Sequence, residues 1–113
     1  MTIDAPNEQA TPFSLVFTKK AAADLDGLFA YISHQLYAPK AAKNLMRKIE
    51  KSILRLTQFP YMAAPCKDAL LSKRGYRALC VNNHVMVYRV NDKKKTVTVH
   101  RVFYGKTNYA KLM

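Results

Sequence analysis

Acidic side chains are scarce in this chain: seven Asp and Glu stand against nineteen Lys and Arg, for a net charge of +12. That deficit directs the protein's field toward something anionic, whether nucleic acid, an anionic membrane or an acidic protein, and charge by itself does not choose among them. Cysteine is nearly absent too. Cys66 and Cys80 are the only two, their spacing fits neither a zinc site nor a redox pair, and they read as reduced thiols of an intracellular protein. No metal or cofactor is expected. No apolar run approaches the roughly 18 residues of a membrane-spanning helix, which argues against a membrane partner. The opening residues, MTIDAPNEQATP, lack the basic start and apolar stretch of a secretory signal. They read as an N-terminal arm over residues 1–12, ahead of a single domain over 13–113 in a cytoplasmic protein. Internal repeats and low-complexity tracts are missing as well, so a stacked-repeat architecture is excluded.

What remains is an ordinary globular composition, half hydrophobic and 23% charged, in a chain long enough for one two-layer core. Any functional site must therefore lie on the surface of that core. Phe13, Leu15 and Phe17 alternate with Ser14, Val16 and Thr18, the period of a first strand. From Lys19 the period changes: Ala21, Leu25, Leu28, Phe29, Ile32 and Leu36 recur at helical spacing, with Thr18 placed to cap. Pro39 opens a second helix, where its missing N–H costs nothing. On that helix Ala42, Leu45, Met46, Ile49, Ile53 and Leu56 form an apolar stripe, backed by Lys40, Lys43, Arg47, Lys51 and Arg55. Phe59-Pro60 ends it, and residues 60 to 74 read as irregular.

Three alternating runs follow Gly75. Asn82-Asn83 suits a two-residue hairpin turn, which pairs Val81 with His84, Leu79 with Met86 and Arg77 with Tyr88. A second turn centred on Lys93-Lys94 pairs Val90 with Val97, Tyr88 with Val99 and Met86 with Arg101. One face of this antiparallel meander then carries Leu79, Val81, Met86, Val90, Val97, Val99 and Phe103, with Arg77, His84, Tyr88 and Arg101 among them, and is the face to pack on helices. The other, with Tyr76, Ala78, Cys80, Val85, Val87, Arg89, Thr98, His100 and Val102, is expected to stay open for a ligand or partner. Arg77 is expected to pair with Asp24, Asp26 or Glu50, Tyr88 to be a packed ring with a bonded hydroxyl, and His84 to be solvated. The fold class is α+β, in the order β-α-α-β-β-β, with a helical hairpin packed on a small antiparallel sheet.

Phe17-Thr18 leading into Ala23-Asp24-Leu25, the helix bounded by Pro39 and Phe59-Pro60, then Gly75-Tyr76-Arg77, Val87-Tyr88-Arg89-Val90 and Arg101-Val102-Phe103-Tyr104-Gly105 resemble the RelE/ParE superfamily of toxins from bacterial type II toxin–antitoxin systems. The resemblance runs from about Phe13 to Tyr109. It implies the same fold, growth inhibition, and a hetero-oligomer with a cognate antitoxin whose acidic, partly disordered segment neutralises the toxin.

The superfamily divides by target. Members similar to RelE and YoeB cleave mRNA in the ribosome and need charged side chains on the open sheet face to activate the ribose hydroxyl and hold the phosphate. Here Val85 stands where such ribonucleases place an Arg, Tyr76 and Ala78 stand in place of lysines, and Phe103-Tyr104 replaces a His-Tyr end. A ribonuclease would have to draw on Arg89, His100, Arg101 and Tyr104, with Lys106 as a further cation and His100 as the group of suitable pKa. Members similar to ParE bind and poison DNA gyrase, and the chain looks more like these. In that case Arg47, Lys51, Arg55, Arg89, Tyr104 and Lys106 are the candidates for binding target or antitoxin, with Arg77 and Tyr88 structural. A relative acting only as a binding module is the third reading.

Overall fold

The computed structural model describes residues 12–35, 38–105 and 109–113. Most of the expected arm (residues 1–11), Leu36 and Lys106 lie outside them. The elements run β1 (Ser14–Phe17), α1 (Lys19–Ala30) with a π-helical turn (Tyr31–Gln35), α2 (Pro39–Gln58), α3 (Ala69–Lys73), β2 (Tyr76–Val81), β3 (His84–Asn91), β4 (Thr96–Tyr104) and a closing 3₁₀ turn (Tyr109–Leu112). The sheet order is β1-β4-β3-β2. The meander is antiparallel as expected, while β1 joins it parallel to β4, Leu15 beside Val97 and Phe17 beside Val99.

Local chemistry explains where the elements begin and end. The Thr18 hydroxyl oxygen accepts from the Ala21 N–H at 3.0 Å, capping α1, and donates its own proton to the His100 carbonyl at 2.8 Å, which fastens the helix start to β4. Pro39 is the first residue of α2, and Phe59 ends it with its N–H on the Arg55 carbonyl. Ile49, Ile53 and Leu56, with Ala21 of α1, bury themselves against Val81, Met86, Tyr88, Val97, Val99 and Val102. Each large apolar side chain so buried contributes about 1.5–3 kcal/mol, so apolar contact is the main force holding the helices to the sheet. Among the described residues no helix is long and apolar enough to cross a membrane.

Two expectations need correction. The first turn is as read, with Asn82 in the left-handed region and Val81 opposite His84. The second turn gives Val90–Val97 and Tyr88–Val99, but Met86 lies opposite Val102 and Val87 opposite Arg101. His100 is therefore an extra residue in β4, a bulge against the Val87–Tyr88 step. Beyond it the two faces exchange: Val102 turns to the helices, while Phe103 joins the opposite side.

That opposite side is not left open. Residues 60–74 are not irregular throughout: Asp68 caps the short helix α3, its carboxylate accepting from the Leu71 N–H at 3.0 Å. Along the outer edge of β2, the Cys66 N–H donates to the Tyr76 carbonyl at 3.0 Å and the Ala78 N–H to the Ala64 carbonyl at 3.2 Å. Cys66 and Leu71 then bury Val85, Val87 and Phe103, with Tyr109 and Ala110 of the closing turn packed beside them. A sheet face with this much valine and phenylalanine needs such a cover.

Candidate functional site

β3 and β4 place Arg89 and Thr98 side by side, and Tyr76 of β2 is Arg89's other neighbour. The Arg89 guanidinium lies 5.1 Å from the centre of the Tyr76 ring, and His100 meets the same ring edge-on at 5.1 Å. Arg89, Val90, Asn91, Thr98 and His100 line a shallow depression of about 280 Å³. Burial, and then the Arg89 charge, lower the His100 pKa, so its imidazole is held neutral near neutrality and can accept a proton.

Arg101 is not available to that group. Its Nε donates to Asp24 at 2.8 Å and a second nitrogen to the other carboxylate oxygen at 3.2 Å, while a third reaches the Leu112 carbonyl at 3.1 Å. Its guanidinium also covers the Phe103 ring at 4.5 Å. The Asp24 carboxylate accepts from the Val102 N–H as well, at 2.9 Å, and its bond to Arg101 raises the arginine's pKa. Since β1 stops at Phe17, Asp24 serves the part of β4 that β1 no longer covers. This is a clamp between α1, β4 and the closing turn.

Tyr104 stands at the other end of β4, about 13 Å from His100 at strand rise. It is 59% exposed and meets His84 edge-on at 5.7 Å. Cys80, Asn82, Asn83, His84 and Tyr104 line an opening of about 440 Å³ there. His84 is buried rather than solvated, its Nδ1 has no partner among the described residues, and burial lowers its pKa. Arg47, Lys51 and Arg55 are exposed on α2, on the helix side of the sheet. The four residues a ribonuclease would need therefore lie in three separate places, and Val85, where the phosphate-holding Arg would stand, is buried in the roofed cluster.

Arg77 pairs with no carboxylate among the described residues: it donates to the Ala63 carbonyl at 2.6 Å and covers the Tyr61 ring at 4.7 Å. The only ion pair among the described residues is Arg101–Asp24. The fully buried Tyr88 donates its hydroxyl to the Pro60 carbonyl at 2.8 Å. Tyr61 is tied through its hydroxyl to Asp92. Missed in the sequence was an exposed apolar group at the end of α2, Leu54, Phe59, Tyr61 and Met62. The signal was present in Leu54 lying off the buried stripe and in four non-polar or aromatic residues running together from Phe59 to Met62.

A helical hairpin packed on a four-stranded sheet, in a strongly basic chain, is the architecture that the resemblance to the RelE/ParE toxins implies. Residues 15–109 match the family described as the ParE toxin of the type II toxin–antitoxin system, parDE, and the chain belongs to that family. It is 28% identical over 82 residues to Toxin ParE1 of Caulobacter vibrioides, covering 73% of this chain and 81% of that one. Among solved structures, the chromosomal ParDE system from P. aeruginosa is similar with a TM-score of 0.67 at 25% identity, covering 84% of this chain and 98% of that chain. E. coli RelE in the free state shares the fold, with a TM-score of 0.60 at 16% identity over 90% of this chain and 93% of that chain.

Proposed function

We propose that this ParE-type toxin arrests bacterial growth from the cytoplasm by binding a large target, DNA gyrase, and does so without chemistry of its own. A cognate antitoxin, through an acidic segment that folds onto the basic toxin, holds it inactive. The observation that carries the reading is the dispersal of His100, Arg101 and Tyr104 together with the buried Val85. General acid–base cleavage needs its groups within hydrogen-bond reach of one substrate. Arg101 is spent on Asp24, and Tyr104 is about 13 Å from His100 at strand rise.

A ribosome-dependent ribonuclease is the second reading, favoured by one juxtaposition, Arg89 and His100 both against the Tyr76 ring and lining one depression. Expression of the wild type, His100→Ala and Arg89→Ala in a host without antitoxin, with growth and mRNA cleavage followed together, separates the two. The binding reading expects arrest without cleavage, and arrest that survives His100→Ala. Transcripts cut by the wild type and left intact by His100→Ala would replace it with the ribonuclease.

A further inference from the structure

The cover over the second sheet face does not reach its far end. Cys66, Leu71 and the closing turn pack on Val85, Val87 and Phe103, with Tyr76 at the margin. Past Tyr76 the strand pairing sets Arg89, Thr98 and Val16 in one row across the sheet, and Asn91, Thr96 and Ser14 in the next. Arg89, Asn91, Val16 and Ser14 are exposed, and the two threonines are half-buried. Apart from Val16, both rows are polar. The depression of about 280 Å³ lies here, and each polar side chain around it can donate: the Arg89 guanidinium, the Thr98 hydroxyl, an imidazole N–H of His100 and the amide of Asn91. The Asn91 oxygen already accepts the Lys94 N–H at 3.0 Å. No carboxylate lines the depression, and Arg89 has none as a partner among the described residues. Asp92, the acid closest to it in sequence, is held by the Tyr61 hydroxyl instead.

We infer that this uncovered end of the sheet binds the phosphodiester backbone of DNA, with Arg89 gripping one phosphate and Thr98, Asn91 and His100 donating to it or to its neighbour. DNA is the occupant because the inference rests on the target proposed above, an enzyme whose own substrate is DNA; a toxin seated there would hold the strand as well as the protein. Two features select a phosphate backbone over an acidic protein segment. Phosphate oxygens only accept, and they take their bonds from Arg, Thr and Asn side chains, which is the set assembled here. The Arg89 guanidinium is held ready against the Tyr76 ring, and its fork suits a phosphate. Positive charge also continues past the depression, since the turn that joins Asn91 to Thr96 carries the exposed Lys93 and Lys94, as a ligand of repeating charge requires. An acidic protein segment would meet the same cations, but a protein interface is built around an apolar centre, and these rows offer hydroxyls.

The cations of α2 attract DNA too, so the test must locate the contact. It is an NMR titration of the full, nitrogen-labelled chain with single-stranded DNA of about six nucleotides, repeated with RNA of the same sequence and with an oligoglutamate of equal charge. The expected result is saturating shifts at the Arg89 Nε–H, Thr98 and His100. Arg89→Gln should weaken the binding that Thr98 and His100 report by about tenfold and lower the slope of log affinity against log salt by about 0.7. Thr98→Val should weaken it less, and Arg47→Gln with Lys51→Gln on α2 should leave these shifts in place. Arg89, Arg47 and Lys51 are exposed, and unchanged core resonances confirm that the variants fold. Shifts confined to α2, affinity at Thr98 and His100 indifferent to Arg89→Gln, or oligoglutamate bound as tightly as DNA would overturn the proposal. RNA bound more tightly than DNA would overturn it as well, in favour of the ribonuclease. No gyrase is present in the titration. DNA held through Arg89 beside fully active gyrase would strike the target reading alone, and poisoned gyrase without these shifts would strike this inference alone.

Discussion

His84 places a titratable ring in the core, edge-on to Tyr104, with Nδ1 unpaired among the described residues. Burial favours the neutral form, so its folded pKa lies below the ordinary 6.5. In the interval between that folded value and 6.5 the unfolded chain binds more protons. The His84 contribution to stability is therefore complete above 6.5 and is lost as pH falls through the interval. His100 is shifted in the same direction. We expect His84→Phe, which keeps a ring against Tyr104, to reduce but not abolish the loss of stability between about pH 7.5 and 5, read as urea midpoints. An unchanged pH dependence would show that His84 is not held neutral by the fold. Asp24 is the second informative residue, because one carboxylate serves two nitrogens of Arg101 and the Val102 N–H. Asp24→Ala should cost about 2–3 kcal/mol in urea denaturation, and Asp24→Asn, which keeps an acceptor for Val102, about 1 kcal/mol. Equal losses would mean that the charge on Asp24 dominates.

Among the elements, those set by short-range chemistry were legible. Thr18 and Pro39 announced the two helix starts, and Asn82-Asn83 gave the register of β2 on β3, because asparagine tolerates the left-handed backbone such a turn requires. The β4 bulge was not read. Its trace is the pair His100-Arg101, two polar residues in succession after Val97, Thr98 and Val99, which alternation alone treats as noise. Missing it put Arg101 and Phe103 on the wrong face. Arg101 then seemed to belong to the core face, while Arg77 was expected to pair with Asp24, Asp26 or Glu50, of which Asp24 is held by Arg101 instead. The cover over the second face was illegible for another reason. Ala64 to Cys66 have no periodicity, and what fixes them is pairing with β2, a contact between segments that no local pattern records, while the Asp68 cap that starts α3 was a local signal passed over. The end of the hairpin is equally tight: the Gly105 N–H donates to the Asn83 carbonyl at 2.5 Å, and a Cβ on Gly105 would come within 2.7 Å of that oxygen. Gly105→Ala should force the turn apart and cost about 1–3 kcal/mol in thermal or urea unfolding; wild-type stability would show that the turn can yield.

At the scale of the whole molecule, the charge of +12 and the fold agree with a toxin that acts by binding. E. coli RelE shares the architecture, so fold alone does not choose the target. What bears on the choice is where the side chains are. The would-be catalytic residues were individually visible in the sequence, but their separation was not, since it depends on the bulge, on the Asp24 clamp and on the roof over Val85. The most direct measurement is the supercoiling activity of purified DNA gyrase titrated with the toxin, with trapped DNA cleavage complexes scored on the same samples. The binding account predicts lost supercoiling and accumulated cleavage complexes, both relieved by prior addition of the antitoxin. Fully active gyrase at high toxin excess would contradict it.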